Sequence, residues 1–114
     1  YQSLDPNGLF RDPLGPLWNR AYCVSSAAAL EEDAARALRS VGARRMIVGH
    51  TRTEGVGGET GRPLQRQGGR VLMTDVGIGE PGEPGVALVV EDGAISAWSP
   101  LEGRYPVVPR LDDL

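Results

Sequence analysis

The sequence predicts an α/β fold in which one main helix is followed by mostly β structure. Three observations carry that expectation: apolar residues at helical spacing from Ala27 to Val41, a short apolar run at 45–48 ended by Gly49, and two apolar segments joined by Asp92-Gly93. A chain of 114 residues can bury one modest core, so residues 1–114 are read as one domain or a portion of one.

Residues 1–16 contain Pro6, Pro13 and Pro16 together with Gly8 and Gly15, too many breakers for a helix or a central strand, and read as an irregular connection. From 27 to 41, Ala27, Leu30, Ala34, Ala37, Leu38 and Val41 fall on one helical face, leaving Glu31, Glu32, Arg36 and Arg39 for solvent. Ser25 or Ser26 is expected to cap the start. The acids at 31–33 lie toward the positive end of the helix dipole, and Gly42 supplies the stop. A buried strand over 45–48 follows at once, with Arg44 and Arg45 before it expected to face solvent. Gly49 and His50 then stand at its carboxyl end, where the loops of open α/β sheets project side chains into a ligand crevice.

Residues 52–69 are polar and glycine-rich and read as a long loop with a weak strand at 64–67. Strands are expected at 71–76, 86–91 and 94–98, the last two as a hairpin, because Asp92-Gly93 tolerates the positive φ of a tight turn. A Gly/Pro-rich loop, GIGEPGEPG at 77–85, separates the first two. Pro106 and Pro109 restrict the tail to an edge strand.

A net charge of -3 excludes the broad attraction that basic domains exert on polyanions, so no nucleic-acid partner is expected. All 12 basic residues are arginine, whose planar fork matches phosphate oxygens, so individual arginines remain candidate ligand contacts. Cys23 is the sole cysteine, which rules out an internal disulfide framework and a cysteine-built zinc site. It reads as a small buried residue, since His50 is the sole histidine and a cysteine nucleophile needs a base beside it. No stretch approaches the roughly 20 apolar residues of a membrane helix. A soluble chain is expected, with cytoplasm and periplasm both open and the oligomeric state undetermined. The start at Tyr1, inside a turn-rich stretch, suggests an incomplete chain.

Three ordered segments, GPLWNRAY at 15–22, ARRMIVGHT at 43–51 and GGRVLMTDVGIG at 68–79, resemble the calcineurin-like (PPP-type) metallophosphoesterases, most nearly the bacterial Shewanella-like protein phosphatases. Those relatives show Gly-Pro-Leu-Trp followed by arginine, a helix, a strand ending in Gly-His-Thr, a further strand ending in an Asp-x-Gly turn, and a closing hairpin. Order and spacing agree over about 12–98, although relatives commonly have tyrosine and glycine where this chain has Asn19 and Ala21. The Asp-x-His, Gly-Asp and Gly-Asn-His motifs that supply most metal ligands in the family do not occur here. The resemblance therefore implies the C-terminal half of a four-layer α/β/β/α metallophosphoesterase sandwich. The intact parent would hydrolyse phosphate monoesters, with phosphoproteins among the implied substrates, using two divalent ions (Mn, Fe or Zn).

On the same resemblance His50 is the metal ligand and Arg20 the substrate phosphate contact, with Thr51, Asp75 and Trp18 supporting or lining the site. Thr51 is read as orienting His50 and Trp18 as packing beneath. For Asp75, a turn-forming role is preferred over holding the imidazole. The competing expectation is a non-catalytic small α/β binding module, or a degenerate phosphatase-like scaffold, in which Gly49-His50 is an ordinary strand-to-loop junction.

Overall fold

The computed structural model describes Asp12, Gly15, residues 19–25 and residues 27–108. Trp18, Ser26 and Pro109 lie outside the described residues, as does most of the irregular connection expected at the start. The element order is α1 (Ala21–Val24), α2 (Ala28–Ser40), β1 (Met46–Arg52), β2 (Leu64–Arg66), β3 (Val71–Asp75), β4 (Ala87–Glu91), β5 (Ala94–Ser99) and β6 (Gly103–Val108). The chain is thus α/β, with one main helix followed by mostly β structure. Among the described residues no helix is long and apolar enough to cross a membrane.

The main helix forms as its spacing predicts, burying Ala34 and Leu38 and leaving its charges outside. It ends through Gly42 at φ +68, whose amide donates to the Arg39 carbonyl (3.1 Å) while Ala43 donates to Leu38 (2.9 Å). This paired closure satisfies two of the carbonyls that a helix end leaves bare. The start differs from expectation. Ala27 is the cap residue and no side chain caps the helix; Ser25 Oγ instead accepts the Ala27 amide at 3.3 Å, closing a local turn one step too early to reach the helix amides.

Two three-stranded sheets follow, ordered β1-β3-β2 and β4-β5-β6. β3 runs parallel to β1 and antiparallel to β2, and it is the centre of the molecule. Its side chains alternate between faces, so Val71 and Met73 join Cys23 and Ala34 on the helical side, whereas Leu72 joins Ile95 and Val108 of the second sheet. All three β3 residues are fully buried, which is why this strand reads as a continuous apolar run. Burial of each contributes about 1.5–3 kcal/mol. Helices, first sheet and second sheet therefore stack as three layers.

The hairpin turn has both central residues at positive φ, Asp92 at +48 and Gly93 at +76, as the Asp-Gly pair requires. β6 holds Pro106 opposite Ser96 and is an edge strand, so the missing amide hydrogen leaves no gap in a two-sided ladder. β2 is seated on β6: Gln65 Nε2 donates to the Val107 carbonyl at 2.9 Å, and Arg62 lies 4.7 Å over the Tyr105 ring. Among the described residues, the opposite edge strands, β1 and β4, carry partly exposed inner-face positions. Ile47, in register with buried Leu72, is 50% exposed, and Val90, opposite buried Ile95, is 59% exposed.

Arg45 departs from the sequence expectation. It is half-buried, its Nε donates to the Gly69 carbonyl at 2.6 Å, and Nη1 and Nη2 are enclosed without a partner. Burial pulls its pKa down. A flanking position at the sheet entrance leaves a long side chain no short route to water.

Candidate functional site

β1 does not stop where its apolar run ends. It continues to Arg52 through an irregularity: Val48 is in register with Met73 and Arg52 with Asp75, so three residues of β1 face one of β3. Gly49, His50 and Thr51 make up this bulge, with Thr74 Oγ1 closing it by donating to the Val48 carbonyl at 3.1 Å. Bulges bend a strand and re-aim its side chains. His50 sits at φ +69, a left-handed conformation uncommon outside glycine, and its ring is exposed.

The second component arrives from α1. Arg20 is the residue before that helix, its carbonyl accepting from Cys23 and Val24 and its Nη2 lying 3.0 Å from Nε2 of His50. A guanidinium only donates, so Nε2 is the acceptor in this contact. Nothing in so short a helix fixes its own position; three tertiary contacts do. Cys23 is buried against Val71 and Met73. Tyr22 donates its hydroxyl to Asp33 of α2 at 2.7 Å. Gln67, buried in the β2–β3 turn, donates Nε2 to the carbonyls of Tyr22 (2.9 Å) and Ser25 (2.5 Å).

Of the candidates named from sequence, Arg20 and His50 are in contact. Burial pushes the Cys23 thiol pKa up, and the neighbouring Thr51 hydroxyl partly offsets it. Asp75 Oδ1 accepts the Gly77 amide at 3.1 Å and so shapes the turn after β3. Trp18 lies outside the described residues.

Sequence reasoning missed Arg52 and Gln67. Arg52 pairs with Glu54 (2.6 Å) and Glu80 (2.5 Å), pinning the 77–85 loop beside the end of β1. Gly77 is what lets it approach, since a Cβ there would stand 2.6 Å from Arg52 Nη2. Arg52 falls in what reads as polar loop and Gln67 at the end of the weak strand expected at 64–67, and no local signal marks either. A separate groove of about 370 Å³, bordered by Arg62, Glu83, Pro84, Leu101 and Glu102, includes none of the sequence candidates.

The described residues bring one imidazole to this point, its Nε2 facing the Arg20 guanidinium. Among the described residues no group of three or more His, Cys, Asp and Glu is arranged to hold a metal ion. Comparison with protein-family models, with curated proteins and with solved structures finds no match to this chain.

Proposed function

We propose that this chain is the C-terminal portion of a calcineurin-like metallophosphoesterase that hydrolyses phosphate monoesters, phosphoproteins among them. The observation that carries the reading is the 3.0 Å contact between Arg20 and His50. Two side chains assigned by separate motifs to phosphate and to metal meet at one point, on a strand bulge at the carboxyl end of β1. His50 contributes one imidazole ligand through Nε2, and Arg20 offers a bidentate fork for phosphoryl oxygens. Two divalent ions, when bound, polarise those oxygens and lower the pKa of bound water.

The remaining ligands, on this proposal, belong to polypeptide outside these residues. The uncovered edge of β1 at Ile47 is where strands carrying them would extend the first sheet. The reading requires an α/β/β/α sandwich, and the helix–sheet–sheet layering supports it.

The test is manganese-dependent hydrolysis of p-nitrophenyl phosphate by the longer polypeptide that supplies those ligands. His50→Ala is expected to lower kcat/KM about 100-fold or more, and the 114-residue chain alone to give no rate above background. A clear manganese-dependent rate from the chain alone, or an undiminished rate in His50→Ala, rejects the reading in favour of a non-catalytic module.

A further inference from the structure

The loop at 77–85 stands between two parts of the molecule. A Cβ at Gly85 would be 2.6 Å from Ile78 Cδ1, so the two ends of the loop are in contact. Two turn bonds shape what lies between, from the Glu80 amide to the Gly77 carbonyl (3.1 Å) and from the Glu83 amide to the Glu80 carbonyl (3.0 Å). On one side the loop meets Arg52, whose Nη1 reaches Glu80 at 2.5 Å. On the other, Glu83 and Pro84 form a wall of the groove of about 370 Å³, facing Arg62, Leu101 and Glu102. We propose that Arg52 is an ionic latch on this loop, so that loss of its bond to Glu80 frees the loop and moves Glu83 and Pro84 away from the opposite groove wall. The latch stands apart from the phosphoesterase reading and involves neither His50 nor Arg20.

The two ends of the latch differ. Arg52 closes β1 and also holds Glu54 at 2.6 Å, the first residue of a single helical turn at Glu54–Val56, so the guanidinium stays with the sheet and Glu80 is the partner that departs. The Glu80 side chain is 57% exposed against 31% for Arg52, which leaves the bond open to competition from dissolved ions. The surrounding charges favour release once the bond is lost. Glu54, Glu80 and Glu83 all act on the one guanidinium, and without it three carboxylates repel each other with no cation between them. The facing wall has its own anchor, since Arg62 is bound to Glu102 at 2.5 Å and lies over the Tyr105 ring. One wall is therefore fixed while the other hangs on an exposed ion pair.

The experiment follows the backbone amides of the full 114-residue chain by nuclear magnetic resonance. Sodium chloride is raised from about 0.01 M to about 1 M, which cuts the reach of a charge from about 30 Å to about 3 Å. In the wild-type chain, solvent exchange of the Glu80 and Glu83 amides is expected to quicken roughly two- to fivefold, the range an exposed pair supplies, and the Arg62 and Leu101 amide signals to move with it. Arg52→Gln and Glu80→Gln are expected to show the fast exchange and the moved groove signals already at low salt, with little further response. The reversed pair, Arg52→Glu with Glu80→Arg, should restore slow exchange at low salt, a rescue that side-chain packing alone would not give. Unchanged exchange in β5 verifies that each variant is folded. Glu80 and Glu83 amides that exchange as slowly in Glu80→Gln as in wild type overturn the latch. Fast exchange there with unmoved Arg62 and Leu101 signals overturns its hold on the groove.

Discussion

Nη2 of Arg20 lies 3.0 Å from Nε2 of His50 across 30 positions of sequence, one residue fixed by a four-residue helix and the other by a strand bulge. Neither element is stable by itself, so the pair is held by what surrounds it, and the following predictions address those supports.

The left-handed backbone at His50 costs stability. His50→Gly is expected to raise the unfolding free energy by roughly 1 kcal/mol, because glycine adopts φ +69 without steric penalty. His50→Val is expected to lower it by at least about as much, a branched Cβ being least tolerated there. Urea denaturation of the three chains checks the order; a His50→Gly chain less stable than wild type contradicts it.

Gln67 is the clamp on α1. Gln67→Leu removes both bonds to the Tyr22 and Ser25 carbonyls and is expected to cost about 1–2 kcal/mol, since two part-buried acceptors lose their partner. Hydrogen exchange of the α1 amides should accelerate more than that of β5.

Gly77→Ala sets a methyl group 2.6 Å from Arg52 Nη2 at a position with φ +79. Steric conflict and backbone strain together are expected to destabilise the chain by about 1–3 kcal/mol and to break the Arg52–Glu80 pair. Arg52→Met in the same background should recover part of the loss, which a thermal-melt cycle of the single and double variants measures.

The bond from Tyr22 to Asp33 shifts both partners. The Tyr22 hydroxyl, and after it Arg36, holds the Asp33 carboxyl below its ordinary range, while the same bond raises Tyr22. A lowered carboxylate contributes stability above its unfolded pKa of about 4 and loses it as pH falls through the folded value. A raised tyrosine contributes fully below about pH 10 and loses its share as pH climbs through the folded value. The stability gap between wild type and Tyr22→Phe is therefore expected to be flat near neutrality and to close at both extremes. A gap that persists into acid contradicts the assignment.

What the sequence made legible was local. The period of Ala34 and Leu38, the stop at Gly42 and the turn at Asp92-Gly93 are written in neighbouring residues and form as expected. The carboxyl end of β1 is different. Its continuation to Arg52 depends on pairing with Asp75 across the sheet, a contact no window around His50 contains. Arg45 is enclosed for the same kind of reason, since the Gly69 carbonyl that receives it lies in a distant turn. The motifs singled out Arg20 and His50, but their contact depends on Gln67 clamping the helix, which becomes visible only when the chain is folded.

Among the described residues, Ile47 on β1 and Val90 on β4 leave apolar side chains on edge strands, and neither strand carries the lysine or proline that ordinarily discourages further pairing. Exposed apolar edges favour further strand pairing, so a charged replacement such as Ile47→Glu is expected to lower self-association at high concentration, as light scattering of the two chains would measure.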